Sequence, residues 1–220
     1  MASEAVVSAS VPPVVGVLAL QGDYAEHQLA LHEQGLATRQ VRTVRDLPGL
    51  AGLVLPGGES TTMLKLLDVE GLWAPLGAAL RSGVPVLATC AGMILLAERV
   101  LDPVQRSYGL LPITVVRNGY GRQFHSGTFA LQGEALPAGT TGTFIRAPRI
   151  TAVGAGCAVL ATRGPDPVLV AAGPIVAACF HPELQEGHPV TVQFAARVRT
   201  AAARVSAAVL GAAQFAAEQA

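Results

Sequence analysis

Residues 84–96 read Val-Pro-Val-Leu-Ala-Thr-Cys-Ala-Gly-Met-Ile-Leu-Leu, a strand pattern that runs directly into a helix pattern. The uncharged run at 84–88 is typical of a buried strand, and an apolar helical run follows at 93–97. Cys90 lies between them, flanked by small residues. A side chain on so tight a turn projects out of the fold, and the N–H groups that open the helix can stabilise an oxyanion. The pattern predicts a nucleophilic cysteine or, since cysteine is often buried, a core thiol.

The composition indicates one neutral, well-buried domain. The chain has 220 residues, 51% of them hydrophobic, and its 15 basic residues balance its 15 acidic ones. This balance argues against a nucleic-acid or membrane partner, because either would favour a basic face. The three cysteines form no C-x-x-C pair, so we expect neither a disulfide framework nor a zinc site. A cytoplasmic location fits, and no metal or other cofactor is predicted.

Both ends of the chain are expected to lie outside a single domain at 14–199. The first twenty residues are apolar, but Glu4 replaces the basic leader of a secretory signal and a Pro-Pro pair interrupts the run. No uninterrupted apolar span is long enough to cross a membrane. We predict a disordered extension at 1–13 and an Ala-rich helix or tail at 200–220.

Strands and helices alternate through the first half of the chain and give way to short strands in the second. Strands are predicted at 14–20, 38–44, 51–55 and 84–88, and helices at 24–34, 59–68 and 73–81. Later strands are predicted at 113–117, 127–131, 143–145, 158–162, 168–172 and 175–180, before a final helix. The pattern predicts an α/β fold of three layers, in which helices cover both faces of a mostly parallel central sheet with a small antiparallel extension.

Three turns that carry reactive residues follow predicted strands, at 56–60, 89–92 and 181–183. Ligands bind beyond the carboxyl ends of the strands in such sheets, so we expect the three turns to meet there. His181 and Glu183 are two residues apart in an extended segment and point the same way. The carboxylate can hold one ring nitrogen while the other takes the proton of Cys90. The alternative is a solvated His-Pro-Glu turn.

The turn Pro56-Gly-Gly-Glu-Ser-Thr-Thr62 precedes a helix. Its two glycines let the backbone approach a ligand and aim N–H groups at it, and the hydroxyls of residues 60–62 can cap the helix. A plain connecting turn and a phosphate site are alternatives, although the loop lacks the spacing and the lysine of a P-loop. We favour an oxyanion donor opposite Cys90.

Arg117 and Arg146 each follow a short apolar strand. Arginine suits bidentate recognition of a carboxylate, and the alternative for each is a surface salt bridge. The other histidines and cysteines carry less: His27 and His32 are expected to be solvated or partner-facing on the first helix, His125 and His188 to lie in loops, and Cys157 and Cys179 to be core thiols.

Six runs, in this order, resemble class I glutamine amidotransferases, and more closely the branch that serves pyridoxal 5′-phosphate synthase. They are Gly16-Val-Leu-Ala-Leu-Gln-Gly22, Leu55-Pro-Gly-Gly-Glu-Ser-Thr-Thr-Met63, Thr89-Cys-Ala-Gly92, Arg117-Asn118 with Gly121-Arg-Gln123, Phe144-Ile-Arg-Ala-Pro148 and Phe180-His-Pro-Glu-Leu184. The chain departs from this pattern at Ala88, where glycine is common, and at Gly119-Tyr120, which replaces a more usual Ser-Phe. Neither departure touches the Cys, His and Glu residues.

The resemblance implies a glutaminase with Cys90 as nucleophile, His181 as base and Glu183 as the group that orients the base. It implies that the oxyanion lies near Gly58 and Ala91, and that glutamine contacts Gly57, Gly58, Glu59, Ser60, Arg117, Ile145 and Arg146. In the family, ammonia passes to a separate (β/α)8-barrel synthase subunit in a large hetero-oligomer, which makes pyridoxal 5′-phosphate (vitamin B6). The glutaminase is typically weak until it docks.

Three other functions remain as alternatives. A glutaminase subunit of another pathway, such as histidine biosynthesis, is disfavoured by the Pro-Gly-Gly-Glu-Ser-Thr-Thr run. A non-catalytic regulatory subunit is disfavoured because Cys90, His181 and Glu183 are all present. A stand-alone peptidase or chaperone of related fold would need no partner and would not favour glutamine.

Overall fold

The computed structural model describes residues 12–120 and 126–217. Within these ranges the strands are β1 (Val14–Leu18), β2 (Ala37–Val41), β3 (Gly52–Leu55), β4 (Val86–Thr89), β5 (Ala97–Leu101), β6 (Leu111–Val116), β7 (Gly127–Ala130), β8 (Thr141–Phe144), β9 (Arg149–Val153), β10 (Ala158–Arg163), β11 (Asp166–Ala172) and β12 (Ile175–Ala178). The α-helices are α1 (Tyr24–Glu33), α2 (Ser60–Val69), α3 (Trp73–Arg81), α4 (Ala91–Leu96) and α5 (Pro189–Ala217).

A seven-stranded sheet in the order β10-β11-β12-β4-β3-β1-β2 forms the centre of the fold. The five strands from β12 to β2 are parallel, and β11 and β10 continue the sheet antiparallel. Every residue of β3, β4 and β12 is buried, as expected for strands that are covered on both faces. The predicted α/β class with a mostly parallel sheet is therefore confirmed.

The antiparallel part is divided among more than one sheet. Strands β5, β6 and β9 form a three-stranded sheet, and β7 pairs with β8 in a separate ribbon. The sequence analysis missed β5 and β9 and extended the helix after Cys90 to Ala97. The helix ends at Leu96, and β5 begins at the next residue. Both missed strands alternate buried and exposed residues only weakly, so neither carries an apolar run.

Strands β1 and β12, which lead into the turns at the carboxyl edge of the sheet, are among those that end earlier than predicted. The central strand β12 ends at Ala178 rather than residue 180. The N–H of Cys179 still donates to the Val168 carbonyl of the neighbouring β11 at 2.8 Å, but the N–H of His181 donates to the Thr143 carbonyl of β8 at 2.9 Å, so the chain leaves the central sheet between these two residues. Strand β1 likewise ends at Leu18, ahead of the turn into α1. These departures place side chains at the carboxyl edge of the sheet.

Helix α5 packs against the core through the residues near its start. Val190, Phe194, Ala195 and Val198 are buried, whereas residues 203–208 are exposed. The helix continues through the Ala-rich segment to Ala217. No helix among the described residues, α5 included, combines the length and apolar character needed to cross a membrane. The predicted extension at 1–13 falls outside the described residues except at its last two positions.

Candidate active site

Cys90 occupies a strained turn between β4 and α4. Its φ of 47° and ψ of −105° lie where non-glycine residues are rare, and its N–H donates to the Ala178 carbonyl at 2.8 Å. A side chain at Gly92 would collide with the backbone of Leu55, so only glycine lets α4 approach β3 this closely. The predicted strand-to-helix turn is present, and it holds the thiol at the carboxyl edge of the sheet.

His181 and Glu183 form a hydrogen-bonded pair beside this turn. Nδ1 of His181 lies 2.8 Å from Oε1 of Glu183, and both side chains are buried. Asp23, which is half-buried, brings Oδ2 to 3.3 Å from the same nitrogen. An ionised carboxylate only accepts hydrogen bonds, so Nδ1 carries the hydrogen and Nε2 is left for the thiol of Cys90.

The pair stabilises opposite charges on its two members. Burial disfavours a charged imidazole, but hydrogen bonds to Asp23, Cys90 and Glu183 outweigh it and raise the pKa of His181 well above 6.5. Burial also disfavours the carboxylate, but the charge of His27 and the hydrogen bonds from His181 and His27 lower the pKa of Glu183 to about 2. The site therefore favours an imidazolium and a carboxylate in contact.

His27 was predicted to be solvated or partner-facing, and this prediction is wrong. Only 1% of the residue is exposed, and its Nε2 lies 3.0 Å from Oγ1 of Thr89 and 3.3 Å from Oε1 of Glu183. The sequence analysis also passed over Asp23 as part of a turn. These two residues are four apart at the start of α1, a spacing that places them on one helix face and that could have marked them as a pair.

The remaining histidines and cysteines divide between surface and core. His32 is exposed on α1, whereas His188 is buried, although it lies in a loop as predicted. Cys179 is fully buried and burial raises its pKa, as expected for a core thiol. Cys157 is only half-buried, which differs from the predicted core position. His125 and the Gly-Arg-Gln run at 121–123 lie outside the described residues.

The Gly57-Gly58 loop packs against the ring of His181. A Cβ atom on Gly57 would overlap the ring of His181, and Gly58 has a φ of 142° that favours glycine. The side chain of Gln21 fixes the loop, because its Oε1 accepts the N–H of Glu59 at 2.8 Å. Gln21 is another residue whose role the sequence analysis missed.

The helix cap differs from the one predicted. Glu59, rather than a hydroxyl of residues 60–62, caps α2 by accepting the N–H of Thr62 at 2.7 Å. Ser60 is buried and donates its hydroxyl to Oε1 of Gln105 at 3.0 Å. Burial opposes the charge of Glu59, but hydrogen bonds from Thr61 and Thr62 lower its pKa to about 2. Glu59 is therefore an anion at neutral pH.

A cavity of about 90 Å³ opens over Cys90. Its lining consists of Gly58, Glu59, Ser60, Cys90, Ile94, Arg117, Asn118, Ile145 and Arg146. Six of the seven predicted substrate contacts are in this set; Gly57 lies against His181 instead. Ala91, predicted near the oxyanion, is the buried first residue of α4. The sequence analysis missed Ile94, one helical turn after Cys90, and Asn118.

The cavity presents both signs of charge. Nη2 of Arg117 lies 2.6 Å from Oε1 of Glu59 and 3.1 Å from Oγ1 of Thr61. The Arg117 side chain is 12% exposed, whereas that of Glu59 is 44% exposed. A cation and an anion on one wall match the carboxylate and ammonium of a free amino acid. The nucleophile on the floor suits attack on the carbonyl of that amino acid's side chain.

A cysteine, a histidine and a carboxylate at the edge of a parallel sheet, below a cavity for an amino acid, define a class of amide-cleaving enzyme. The sequence matches the SNO glutamine amidotransferase family over residues 17–200, and the chain belongs to that family. A solved structure described as a glutamine amidotransferase superposes with a TM-score of 0.78 at 41% identity, covering 84% of this chain and 98% of that one.

The similar curated proteins are more particular. The pyridoxal 5′-phosphate synthase subunit PdxT of Deinococcus radiodurans is 49% identical over 177 residues, which cover 78% of this chain and 90% of the relative. The protein of the same name from Streptomyces griseus is 46% identical over 190 residues, covering 85% of this chain and 96% of the relative. These similarities confirm the resemblance that the six sequence runs indicated.

Proposed function

We propose that this chain is the glutaminase subunit of a pyridoxal 5′-phosphate synthase and hydrolyses L-glutamine to L-glutamate and ammonia. The observation that carries the proposal is the position of Cys90, on a strained turn at the floor of the cavity and beside a histidine that Glu183 holds. The names of the relatives support the pathway, because both are subunits of pyridoxal 5′-phosphate synthase.

The charged wall of the cavity orients the substrate. Arg117 binds the α-carboxylate of glutamine and Glu59 binds its α-ammonium group, and Arg146 and the exposed side chain of Ile145 complete this part of the lining. The side-chain amide then points down to Cys90. The backbone beside Gly58 and the start of α4 supplies N–H groups for the oxyanion that forms during attack.

The reaction is an acyl transfer in two halves. The sulfur of Cys90 attacks the amide carbon, and His181 gives its proton to the departing nitrogen, so that ammonia leaves and a thioester remains. A water molecule then attacks the thioester, and His181 takes the proton of that water. Glutamate leaves with the oxygen of water, and Cys90 and His181 return to their starting state. Glu183 keeps Nδ1 of His181 oriented throughout.

The ammonia passes to a synthase subunit that we propose to be a (β/α)8 barrel within a larger hetero-oligomer. The edge of the cavity suits docking, because the apolar side chain of its lining residue Ile145 is 43% exposed. We place the complex in the reducing cytoplasm, since Cys90 acts as a free thiol.

Substitution of the nucleophile tests the proposal. Glutamate release by Cys90→Ala, assayed with the cognate synthase subunit present, should fall at least about 10⁴-fold. The matched control is Cys157→Ala, which removes a thiol outside the cavity and should keep full activity.

The nitrogen source tests the pathway. The complex that contains Cys90→Ala should still form pyridoxal 5′-phosphate from ammonium chloride but not from glutamine. Substantial glutamine turnover by folded Cys90→Ala would rule out the assigned chemistry. Failure of the active wild-type chain to support the synthase would rule out the pathway.

A further inference from the structure

His27 contacts both the triad and the strand that carries the nucleophile. Resting on the function proposed above, we propose that His27 is a positioning residue: it orients the Glu183 carboxylate and ties it through Thr89 to the strand that carries Cys90. The proposal rests on the position of His27. The residue is 1% exposed, and its Nε2 lies 3.3 Å from Oε1 of Glu183 and 3.0 Å from Oγ1 of Thr89.

The protonation of Nε2 follows from its neighbour. Glu183 is ionised, with a pKa lowered to about 2 against the opposing effect of burial, so its oxygens only accept hydrogen bonds. Nε2 of His27 therefore carries a hydrogen and donates it towards Oε1. The same oxygen accepts from Nδ1 of His181 at 2.8 Å. Two imidazole rings thus meet on a single carboxylate oxygen.

The orientation of Glu183 depends on these two contacts. Its side chain has no exposed surface, and Oε2 has no hydrogen-bond partner among the described protein groups. No second protein donor in the described chain therefore fixes the plane of the carboxylate. Removing His27 leaves one directional contact, that with His181, and frees the carboxylate to rotate.

Thr89 closes the arrangement into a ring. It is fully buried and precedes Cys90 directly at the end of β4. Starting from Cys90, successive contacts run to His181, Glu183, His27 and Thr89, and the peptide bond leads back to Cys90. Each group is held by two neighbours, so displacement of one is resisted by the rest.

The other charged groups around the pair are unaffected by a change at His27. His181 also faces Asp23 from the turn before α1 and Cys90 from the turn after β4, and the buried His188 faces Glu183 from the segment before α5. Without the His27 donor, Glu183 is free to rotate, and its hydrogen bond no longer holds the ring of His181 in line with the leaving nitrogen. His181 is then the sole partner of Oε1, so the more basic carboxylate lets His181 keep its proton to higher pH.

The test compares four variants in the complex with the synthase subunit. His27→Leu should lower kcat for glutamine about 10- to 100-fold with little change in KM, the range expected for a lost hydrogen bond to a charged group. The alkaline limb of its pH profile should move to higher pH. His27→Gln places an amide N–H near the position of Nε2 and should restore most of the rate, whereas His27→Asn is one methylene shorter and should not. His32→Leu, a loss of an exposed histidine on the same helix, should behave as wild type.

The possible outcomes distinguish the positioning role of His27 from the proposed glutaminase function. Wild-type kinetics in His27→Leu, or a loss with an unchanged pH profile and no difference between His27→Gln and His27→Asn, overturns the positioning role. If His27→Leu fails to fold, the Gln and Asn pair decides. A wild-type complex without glutaminase activity overturns the proposed function alone. The positioning role is then judged from alkylation of Cys90 by iodoacetamide at pH 6, which should be slower in His27→Asn than in His27→Gln; equal rates overturn it.

Discussion

A methyl group on Gly57 would strike the ring of His181, the proposed general base. An ideal Cβ at this position falls inside the contact distance of Cε1 of His181, 3.0 Å from its Nδ1 and 2.9 Å from Oδ2 of Asp23. Ordinary contacts of a Cβ atom begin at 3.4 Å. The backbone of Gly57 is not in the left-handed region, so Gly57→Ala introduces crowding without backbone strain.

The crowding must be relieved by the imidazole ring. The ring has to move by about 1 Å, and a misplacement of that size costs about 100-fold in rate. Overpacking costs about 1–3 kcal/mol of the free energy of unfolding. We therefore expect Gly57→Ala to be folded but about 100-fold slower in kcat, because the crowded atoms belong to His181 and Asp23 and not to Arg117 or another residue that lines the cavity.

A matched variant separates crowding from loss of function. Gly16→Ala in β1 meets Leu50 in the same way and lies 2.9 Å from Cγ2 of Val41, so it overpacks apolar core side chains. Both variants should lose comparable stability in urea unfolding followed at the single tryptophan. Only Gly57→Ala should lose glutaminase activity per folded molecule. Equal activity losses, or a fully active Gly57→Ala, would refute the placement of His181 against this loop.

Two further predictions concern charge. Arg117→Met should raise KM for glutamine about 10- to 100-fold with a smaller effect on kcat, because it removes the proposed charged hydrogen bond to the α-carboxylate. The control is Arg106→Met, which breaks an exposed pair with Asp68. An unchanged KM for Arg117→Met would contradict the assignment. The pKa of Glu183 falls from 4.5 to about 2 in the fold, so its charge adds about 3 kcal/mol to the free energy of unfolding above pH 4.5, and this contribution disappears as the pH falls towards 2. Urea unfolding should therefore show Glu183→Gln destabilised by about that amount at pH 6 with the gap closing below pH 4.5; a gap independent of pH would contradict the ionised state.

The parallel sheet could be predicted because each of its central strands is recognisable from its own residues. The runs at 52–55, 86–89 and 175–178 are uncharged, and each is followed by a turn with glycine or proline nearby. Such strands are buried on both faces, so burial alone predicts them. The missed strands β5 and β9 have several exposed residues and are held by pairing with β6. The residues of a strand do not by themselves indicate such a pairing.

The triad was predictable for a similar reason, and His27 was not. Cys90, His181 and Glu183 each follow a strand end, where parallel topology gathers residues that are distant in sequence. His27 lies inside a helix whose buried positions include only Ala30 and Leu31 besides itself, so no apolar stripe marks its inner face. His27 lies against Glu183, which is distant in sequence, so the residues around His27 do not indicate that it is buried.

The pairing of two imidazoles with one carboxylate also explains how Glu183 can stay buried through the reaction. A buried carboxylate is costly unless it is paired, and in the proposed reaction its partner His181 gives its proton to the leaving ammonia during each turnover. At that moment Nε2 of His27, 3.3 Å from Oε1, still donates to the carboxylate. Glu183 therefore keeps its charge when His181 is neutral. The next proton, from the attacking water, returns to His181 rather than to Glu183, which leaves His181 ready for the following cycle.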